Sequence, residues 1–184
     1  MYFCTMKILA FGTSGSQTSI NQQFANFAAH QFDGEVNMLD MNDFEMTLYS
    51  IDKEISHGIP DQAYDFIEHI ESADFIVISL TDHNGSYPAI FKNTLDWASR
   101  VKGNIFSNKP MLLLATSTGK LGAKFVLEAA VSRFPKHEAN ILGTYSFPSF
   151  QVNFENGKII NLELKESFDK VIEQVKQALL QVEK

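Results

Sequence analysis

Thr81-Asp82-His83-Asn84-Gly85-Ser86-Tyr87-Pro88-Ala89-Ile90-Phe91-Lys92-Asn93-Thr94-Leu95-Asp96-Trp97 is the stretch around which the chain is organised. It follows Asp74-Phe75-Ile76-Val77-Ile78-Ser79-Leu80, a continuous apolar, β-branched run that reads as a strand buried on both faces. Residues of turn chemistry come next. Pro88 then falls in the first turn of a helix, where its missing N–H costs nothing. Ile90, Phe91, Thr94, Leu95, Ala98 and Val101 recur at close to the helical period and define an inner face. Asp96 and Arg100 are spaced to pair at i,i+4 on the outer face. A strand that feeds a polar, glycine-containing loop and then a helix puts ligand-binding atoms at the carboxyl edge of a parallel sheet. The alternative is an ordinary strand-to-helix connection with a well-formed turn.

The whole chain sets the limits within which that stretch acts. Its 184 residues suit a single domain (1–184) able to bury a sizeable core, and 45% hydrophobic with 20% charged residues is a globular composition. A formal net charge of −7 with no basic stripe argues against nucleic-acid binding. The single cysteine, Cys4, cannot form an internal disulfide. His30, His57, His69, His83 and His137 are scattered, and no CxxC or HExxH spacing suggests a metal. No apolar run is long enough to span a membrane and no charged segment precedes a signal-peptide core, so the expectation is a cytoplasmic protein.

Met1 to Thr5 read as a frayed extension or an alternative start, ahead of a first buried strand over Lys7 to Gly12. Gly12-Thr13-Ser14-Gly15-Ser16-Gln17-Thr18-Ser19-Ile20-Asn21 then opens a helix that runs to about Phe32. Hydroxyls, two glycines and an asparagine ahead of a helix N-terminus suit a phosphate, because short donors, exposed N–H groups and the positive end of the peptide dipoles converge there. No Gly-Lys-Ser/Thr follows, so this is not a Walker A loop, and a simple capped turn is the competing reading. Glu35 to Asp40 alternates like a half-exposed strand near a sheet edge. Glu45 to Ile59 has no sustained period and is expected to be a long loop, either a wall of the ligand side or a plain surface connection. Pro60-Asp61 starts a helix to about Ser72 with Phe66, Ile67 and Ile70 inward.

Past the opening stretch, Gly103 to Asn108 reads as a loop and Met111 to Thr116 as another buried strand. That strand ends in Ser117-Thr118-Gly119-Lys120-Leu121-Gly122, before a helix carrying Phe125, Val126, Ala129, Ala130 and Phe134. Asn140 to Tyr145 is the expected fifth strand. Asn156-Gly157, between Val152 to Glu155 and Lys158 to Ile160, is a hairpin signal. A final helix spans about Leu162 to Val182 with a stripe of Phe168, Val171, Ile172, Val175, Leu179 and Val182. Three strands thus end in Ser/Thr/Gly loops at helix starts, and three such loops on one parallel sheet compose a site.

Asn84-Gly85-Ser86-Tyr87-Pro88, followed by Lys92-Asn93-Thr94-Leu95-Asp96-Trp97, resembles the Asn-x-Ser-x-Pro…Lys-Asn-x-x-Asp-Trp signature of the NAD(P)H-dependent FMN reductases. That flavodoxin-like family includes azoreductase-like and quinone-reductase-like members, and its chains would begin at Met6. The resemblance implies FMN as cofactor and NADPH or NADH as electron donor. It implies a phosphate loop with Ser14, Ser19 and Asn21 on matching positions, alongside Ile20 and Ser16; many members carry an arginine where Ser16 stands. It implies a second loop of Thr81, Asp82, His83, Asn84, Gly85 and Ser86, although the family usually has Pro-Glu-Tyr where Thr81-Asp82-His83 stand here. Ser117, Thr118 and Gly119 are carried over as the third loop, against the dimethylbenzene–pyrimidine side of the flavin. A homodimer or dimer of dimers is implied as well, with the partner covering part of the flavin.

The expected architecture is therefore α/β, a flavodoxin-like doubly wound five-stranded parallel sheet of order 2-1-3-4-5 with helices on both faces. The expected activity is electron transfer from a nicotinamide nucleotide, through FMN, to a small-molecule electron acceptor: a quinone, an azo compound, a metal oxyanion or free flavin. No catalytic protein nucleophile is expected; His83 is a candidate proton donor or rim wall. Two alternatives stay open: a flavodoxin-like electron carrier that docks redox proteins through its acidic surface, and a domain that kept the fold and lost the flavin.

Overall fold

The computed structural model describes residues 5–182. Met1 to Cys4 of the expected extension and the side chain of Val182 lie outside the described residues. Five parallel strands, β1 (Lys7–Gly12), β2 (Glu35–Met38), β3 (Phe75–Leu80), β4 (Pro110–Thr116) and β5 (Asn140–Phe147), form one sheet in the order β2-β1-β3-β4-β5. The order is the one expected, with β2 at an edge. The period of two along each strand decides what faces what. Leu9, Phe11, Ile76, Ile78, Leu80, Met111 and Leu113 point to one side. There they meet helices α3 (Asp61–Ser72), α4 (Ala89–Val101) and α5 (Lys124–Arg133) through Phe66, Ile70, Phe91, Leu95, Val126 and Ala130. Ile8, Ala10, Phe75, Val77, Leu112 and Leu114 point to the other side. They pack on α1 (Ile20–Ala29) and α7 (Leu162–Val182) through Phe24, Ala28, Phe168, Ile172 and Val175. The three central strands are buried along almost their whole length, which is why they read as unbroken apolar runs.

Several local expectations are corrected. Glu45 to Ile59 is not a continuous loop: α2 (Ile51–His57) lies inside it, capped by Ser50, whose hydroxyl accepts from Lys53 N–H. No residue of α2 is buried, so it carries no apolar period to read. The outer face of α4 pairs differently from the expected Asp96–Arg100. Asp96 receives Lys92 at 2.6 Å, one turn earlier, and Arg100 reaches across to Glu54 of α2 at 2.9 Å. The inner stripe of α5 is Val126, Leu127 and Ala130, with Ala123 and Phe134 at its ends, whereas Phe125 and Ala129 face outward. Ala123 enters that helix with a left-handed φ of 60°. Helix α1 stops at Ala29 rather than Phe32, and Val152-Asn153 belong to a helical turn, α6 (Phe150–Asn153). That turn leaves β6 (Phe154–Glu155) and β7 (Lys158–Ile159) as a two-rung hairpin around Asn156-Gly157, both at positive φ.

The segment ahead of α2 is strapped down by α4. Asn93, buried on that helix, accepts from Tyr49 N–H at 2.9 Å and donates to the carbonyls of Met46 and Thr47. Trp97 Nε1 donates to the same Thr47 carbonyl at 2.7 Å, and its ring meets Tyr49 edge to face at 5.0 Å. Asn93→Ala leaves one backbone donor and one carbonyl without a side-chain partner. It is expected to cost about 1–2 kcal/mol and to speed hydrogen exchange selectively at residues 46–50, measured by exchange mass spectrometry.

Candidate functional site

Strand order alone locates a crevice. The chain leaves β1 toward one edge and returns to β3 on the other side, so the loops after β1 and β3 diverge at their carboxyl ends. A cleft of about 320 Å³ lies there. The first loop contributes Ser14, Ser16, Thr18, Ser19, Ile20 and Asn21; the second Thr81, Asp82 and His83; the end of β4 and the third loop Thr116, Ser117 and Thr118. Of the residues expected from the sequence, Asn84, Gly85, Ser86 and Gly119 stand outside this wall. Thr18 and Thr116 belong to it and were not anticipated. Thr18 was hidden among equivalent hydroxyls, and Thr116 reads as a strand terminus. A larger groove, about 620 Å³, runs between β2 and α3 past Asp43, Asp65, Glu68 and His69, and none of the three hydroxyl-rich loops lines it.

The first loop is shaped by its own hydroxyls. Ser14 Oγ accepts from Ser16 N–H, Ser16 Oγ from Thr18 N–H, and Ser19 Oγ caps α1 by accepting from Gln22 N–H at 3.1 Å. Gly12 permits α1 to approach: a Cβ there would stand 2.3 Å from Gln22 N. The N–H groups of Ile20 and Asn21, at the start of α1, donate to no acceptor among the described residues. They are the free donors that a helix N-terminus offers an anion.

Asn21 departs from the role its motif position implies. Its side chain is buried and spent on the protein: Oδ1 accepts from Ser79 Oγ at 2.7 Å and Thr116 N–H at 3.1 Å, and Nδ2 donates to Thr116 O at 3.1 Å. What Asn21 offers a ligand is its backbone N–H.

In the second loop His83 and Ser86 exchange backbone hydrogen bonds of 2.9 and 3.2 Å around Asn84 (φ 57°) and Gly85 (φ 80°), a two-residue hairpin turn. Asp82 Oδ1 accepts from Gly85 N–H at 2.6 Å and braces it. His83 is therefore held at the rim, exposed to solvent. Tyr87 turns the other way, stacking on Phe134 at 6.0 Å. Burial pushes its phenol up to about 12, so it stays neutral and is no acid for the cleft. The third loop is braced from behind by Ser149 N–H on Gly119 O and Phe150 N–H on Ser117 O, at 2.9 and 3.0 Å.

The wall contains no lysine or arginine and a single carboxylate, Asp82; His83 is its only aromatic side chain. Among the described residues no cluster of His, Cys, Asp and Glu could hold a metal, and no helix is long and apolar enough to cross a membrane.

A 2-1-3-4-5 parallel sheet, with hydroxyl-rich loops meeting beside a free helix N-terminus, defines a flavodoxin-like protein. The sequence profile of a family described as NADPH-dependent FMN reductase matches residues 6–158, and the chain belongs to that family. It is 31% identical over 118 residues to a 2-hydroxy-1,4-benzoquinone reductase of Burkholderia sp, spanning 64% of this chain and 63% of that one. It is 34% identical over 78 residues to a quinone reductase of Escherichia coli K12, 42% of each chain. The flavoenzyme NAD(P)H:(acceptor) oxidoreductase of Paracoccus denitrificans shares the fold with a TM-score of 0.73 at 18% identity, over 95% of this chain and 98% of that one.

The buried amide generates a prediction. Asn21→Ala strands the Ser79 hydroxyl and the Thr116 N–H in an apolar interior, and should cost roughly 2–4 kcal/mol in urea unfolding. Ser79→Ala leaves the Asn21–Thr116 pair intact and should cost about 1 kcal/mol.

Proposed function

We propose that the cleft holds FMN and that the protein is an NAD(P)H-dependent oxidoreductase delivering electrons to a small acceptor of the quinone or azo class, with metal oxyanions and free flavin as further candidates. The observation that carries this is the meeting of three loops beside the free N–H groups of Ile20 and Asn21, in a chain of the FMN reductase family. The residues fit the group. A phosphate needs donors, and the first loop has hydroxyls and the helix end; about 320 Å³ is within the size range of ligand sites. A further polar atom of the wall, Thr81 Oγ1, is buried with no protein partner.

In this reading Ser14, Ser16, Thr18 and Ser19, with the N–H groups of Ile20 and Asn21, hold the phosphate. Thr81 to His83 and Thr116 to Thr118 flank the rest, with the hairpin of Asn84, Gly85 and Ser86 and the turn at Gly119 setting the loops that do so. Bound FMN supplies two-electron chemistry between a reduced nicotinamide and the acceptor. The chain's own work is to orient it and to keep one face open. Among the described residues no Phe, Tyr or Trp lines the cleft, and His83 is the one aromatic side chain that could lie against a bound ring. His83, exposed at the rim, can pass a proton to a reduced acceptor or stand as a wall.

A homodimer or dimer of dimers in the cytoplasm, built from a single domain over 1–184, completes the reading. Exposed apolar Leu121 and Phe125, just past the third loop, support a partner near the cleft.

The electron-carrier alternative draws on the net charge of −7. The third loop, Ser117-Thr118-Gly119, has no aromatic side chain to sandwich a ring, and that weighs against it.

Purified protein given FMN and desalted should retain flavin absorption near one per chain and oxidise NADPH or NADH with a benzoquinone. A colourless product defeats the reading. Flavin that neither nucleotide reduces, but that a redox protein does, would favour the carrier.

The all-neutral phosphate site gives a second test. Ser16→Arg adds a charge-assisted, two-pronged donor to the first loop. FMN affinity should rise roughly five- to thirtyfold, and riboflavin affinity should hardly change, by fluorescence titration.

A further inference from the structure

Thr81 stands where β3 gives way to the second loop. Its N–H donates to Thr13 Oγ1 at 2.8 Å, tying that loop to the buried end of β1. Its hydroxyl makes no comparable contact, since Oγ1 is screened from solvent and has no hydrogen-bond partner. The hydroxyls around it are engaged within the protein. Thr13 Oγ1 takes the Thr81 N–H, Ser79 donates to Asn21, Thr116 Oγ1 donates to Phe147 O at 2.7 Å, and Ser117 Oγ accepts from Gly119 N–H. The one other buried side-chain atom left alone among the described residues, Tyr87 Oη, lies in the core between α4 and α5, off the cleft wall. A buried hydroxyl without a partner destabilises the fold, so its presence in a ligand cleft asks for a reason.

Position supplies one. Strand β3 lies between β1 and β4, so Thr81 sits midway between the helix end that suits a phosphate and the third loop. Any ligand that reaches from one to the other passes the end of β3. The motif that this chain resembles usually has proline here, which offers neither an N–H nor a hydroxyl. Both the N–H donated to Thr13 and the unpartnered hydroxyl therefore belong to this sequence.

We propose that Thr81 Oγ1 is a ligand contact, hydrogen-bonding a neutral polar atom of the riboflavin portion of FMN and not its phosphate. The proposal rests on the FMN reading above. Thr81 holds the cofactor in this role and takes no part in the chemistry.

The test compares Thr81→Val, which keeps the shape and the backbone N–H, with Thr81→Ser, which keeps the hydroxyl. FMN and riboflavin are titrated into each apoprotein by flavin fluorescence, and each apoprotein is melted without ligand. Thr81→Val should lose about three- to tenfold in affinity for both flavins, the worth of one neutral hydrogen bond. Thr81→Ser should stay within about twofold of the parent. Ligand-free Thr81→Val should melt no lower than the parent, because an unsatisfied hydroxyl has been replaced by a methyl. Tighter folding with weaker binding is a pairing that a purely structural hydroxyl does not give. Unchanged affinity in Thr81→Val, a loss confined to FMN, an equal loss in both variants, or a lower ligand-free melting temperature each overturns the proposal. A parent protein that binds neither flavin removes the FMN reading itself, a result distinct from all of these.

Discussion

One buried amide holds the functional end of the molecule together. The side chain of Asn21, in the first turn of α1, receives the Ser79 hydroxyl from β3 and both receives from and donates to the backbone of Thr116 at the end of β4. Three elements far apart in sequence are thereby tied at one point. In an apolar interior such a hydrogen-bonded amide is strongly favoured over any arrangement that leaves its partners unpaired. The first, second and third loops all spring from those three elements, so the cleft's geometry is set from beneath by a residue whose side chain is turned away from it. Gln22, next along α1, does the same for the other side, accepting from Gly12 N–H at 2.6 Å and donating to Leu39 O at 2.7 Å.

That bracing explains how a site can be built from weak donors. With no lysine or arginine on the wall, the proposed binding of an anion would depend on several N–H and O–H groups pointing one way before it arrives. The hydroxyl ladder Ser14–Ser16–Thr18 and the cap at Ser19 freeze the first loop in that arrangement. The lining loops also leave one face of the cleft free of Phe, Tyr and Trp, which suits a reaction in which two substrates must take turns at the same cofactor. The fold brings the loops together; the chemistry follows from what the loops leave out.

The stretch from Thr81 to Trp97 does two jobs with one run of sequence. Its first half makes the braced hairpin at the rim. Its second half holds down a segment some forty-five residues earlier in the chain, through Asn93 and Trp97 on the carbonyls of Met46 and Thr47. Beyond that strap, α2 rests on the surface with an ion pair to α4, Glu54 with Arg100, partly exposed and worth little by itself. Leu48, Ile51 and Ile55 are left facing solvent.

What the sequence determined by itself is what burial and turn chemistry write locally. Unbroken apolar runs marked β1, β3 and β4 because both faces of those strands are covered. Alternation marked β2 as an edge, and Asn156-Gly157 marked its hairpin because few residues tolerate positive φ. The three Ser/Thr/Gly loops were legible as turn chemistry at strand ends, while the individual residues assigned to them came from the resemblance to a known motif. What only the tertiary structure decided are the partners of polar groups. Nothing local in Asn21 says that its amide faces inward, since its partners lie 58 and 95 residues away. Nothing in Arg100 says that Glu54 would outcompete Asp96, because that depends on where α2 comes to rest. Helix α2 itself was invisible because periodicity reports burial and it buries nothing. Thr81 and Tyr87 both carry hydroxyls within one short motif, yet packing sends one to the cleft wall and the other into the core. A hydrogen bond is chosen by distance and angle among groups brought together by folding, and that choice has no period to read.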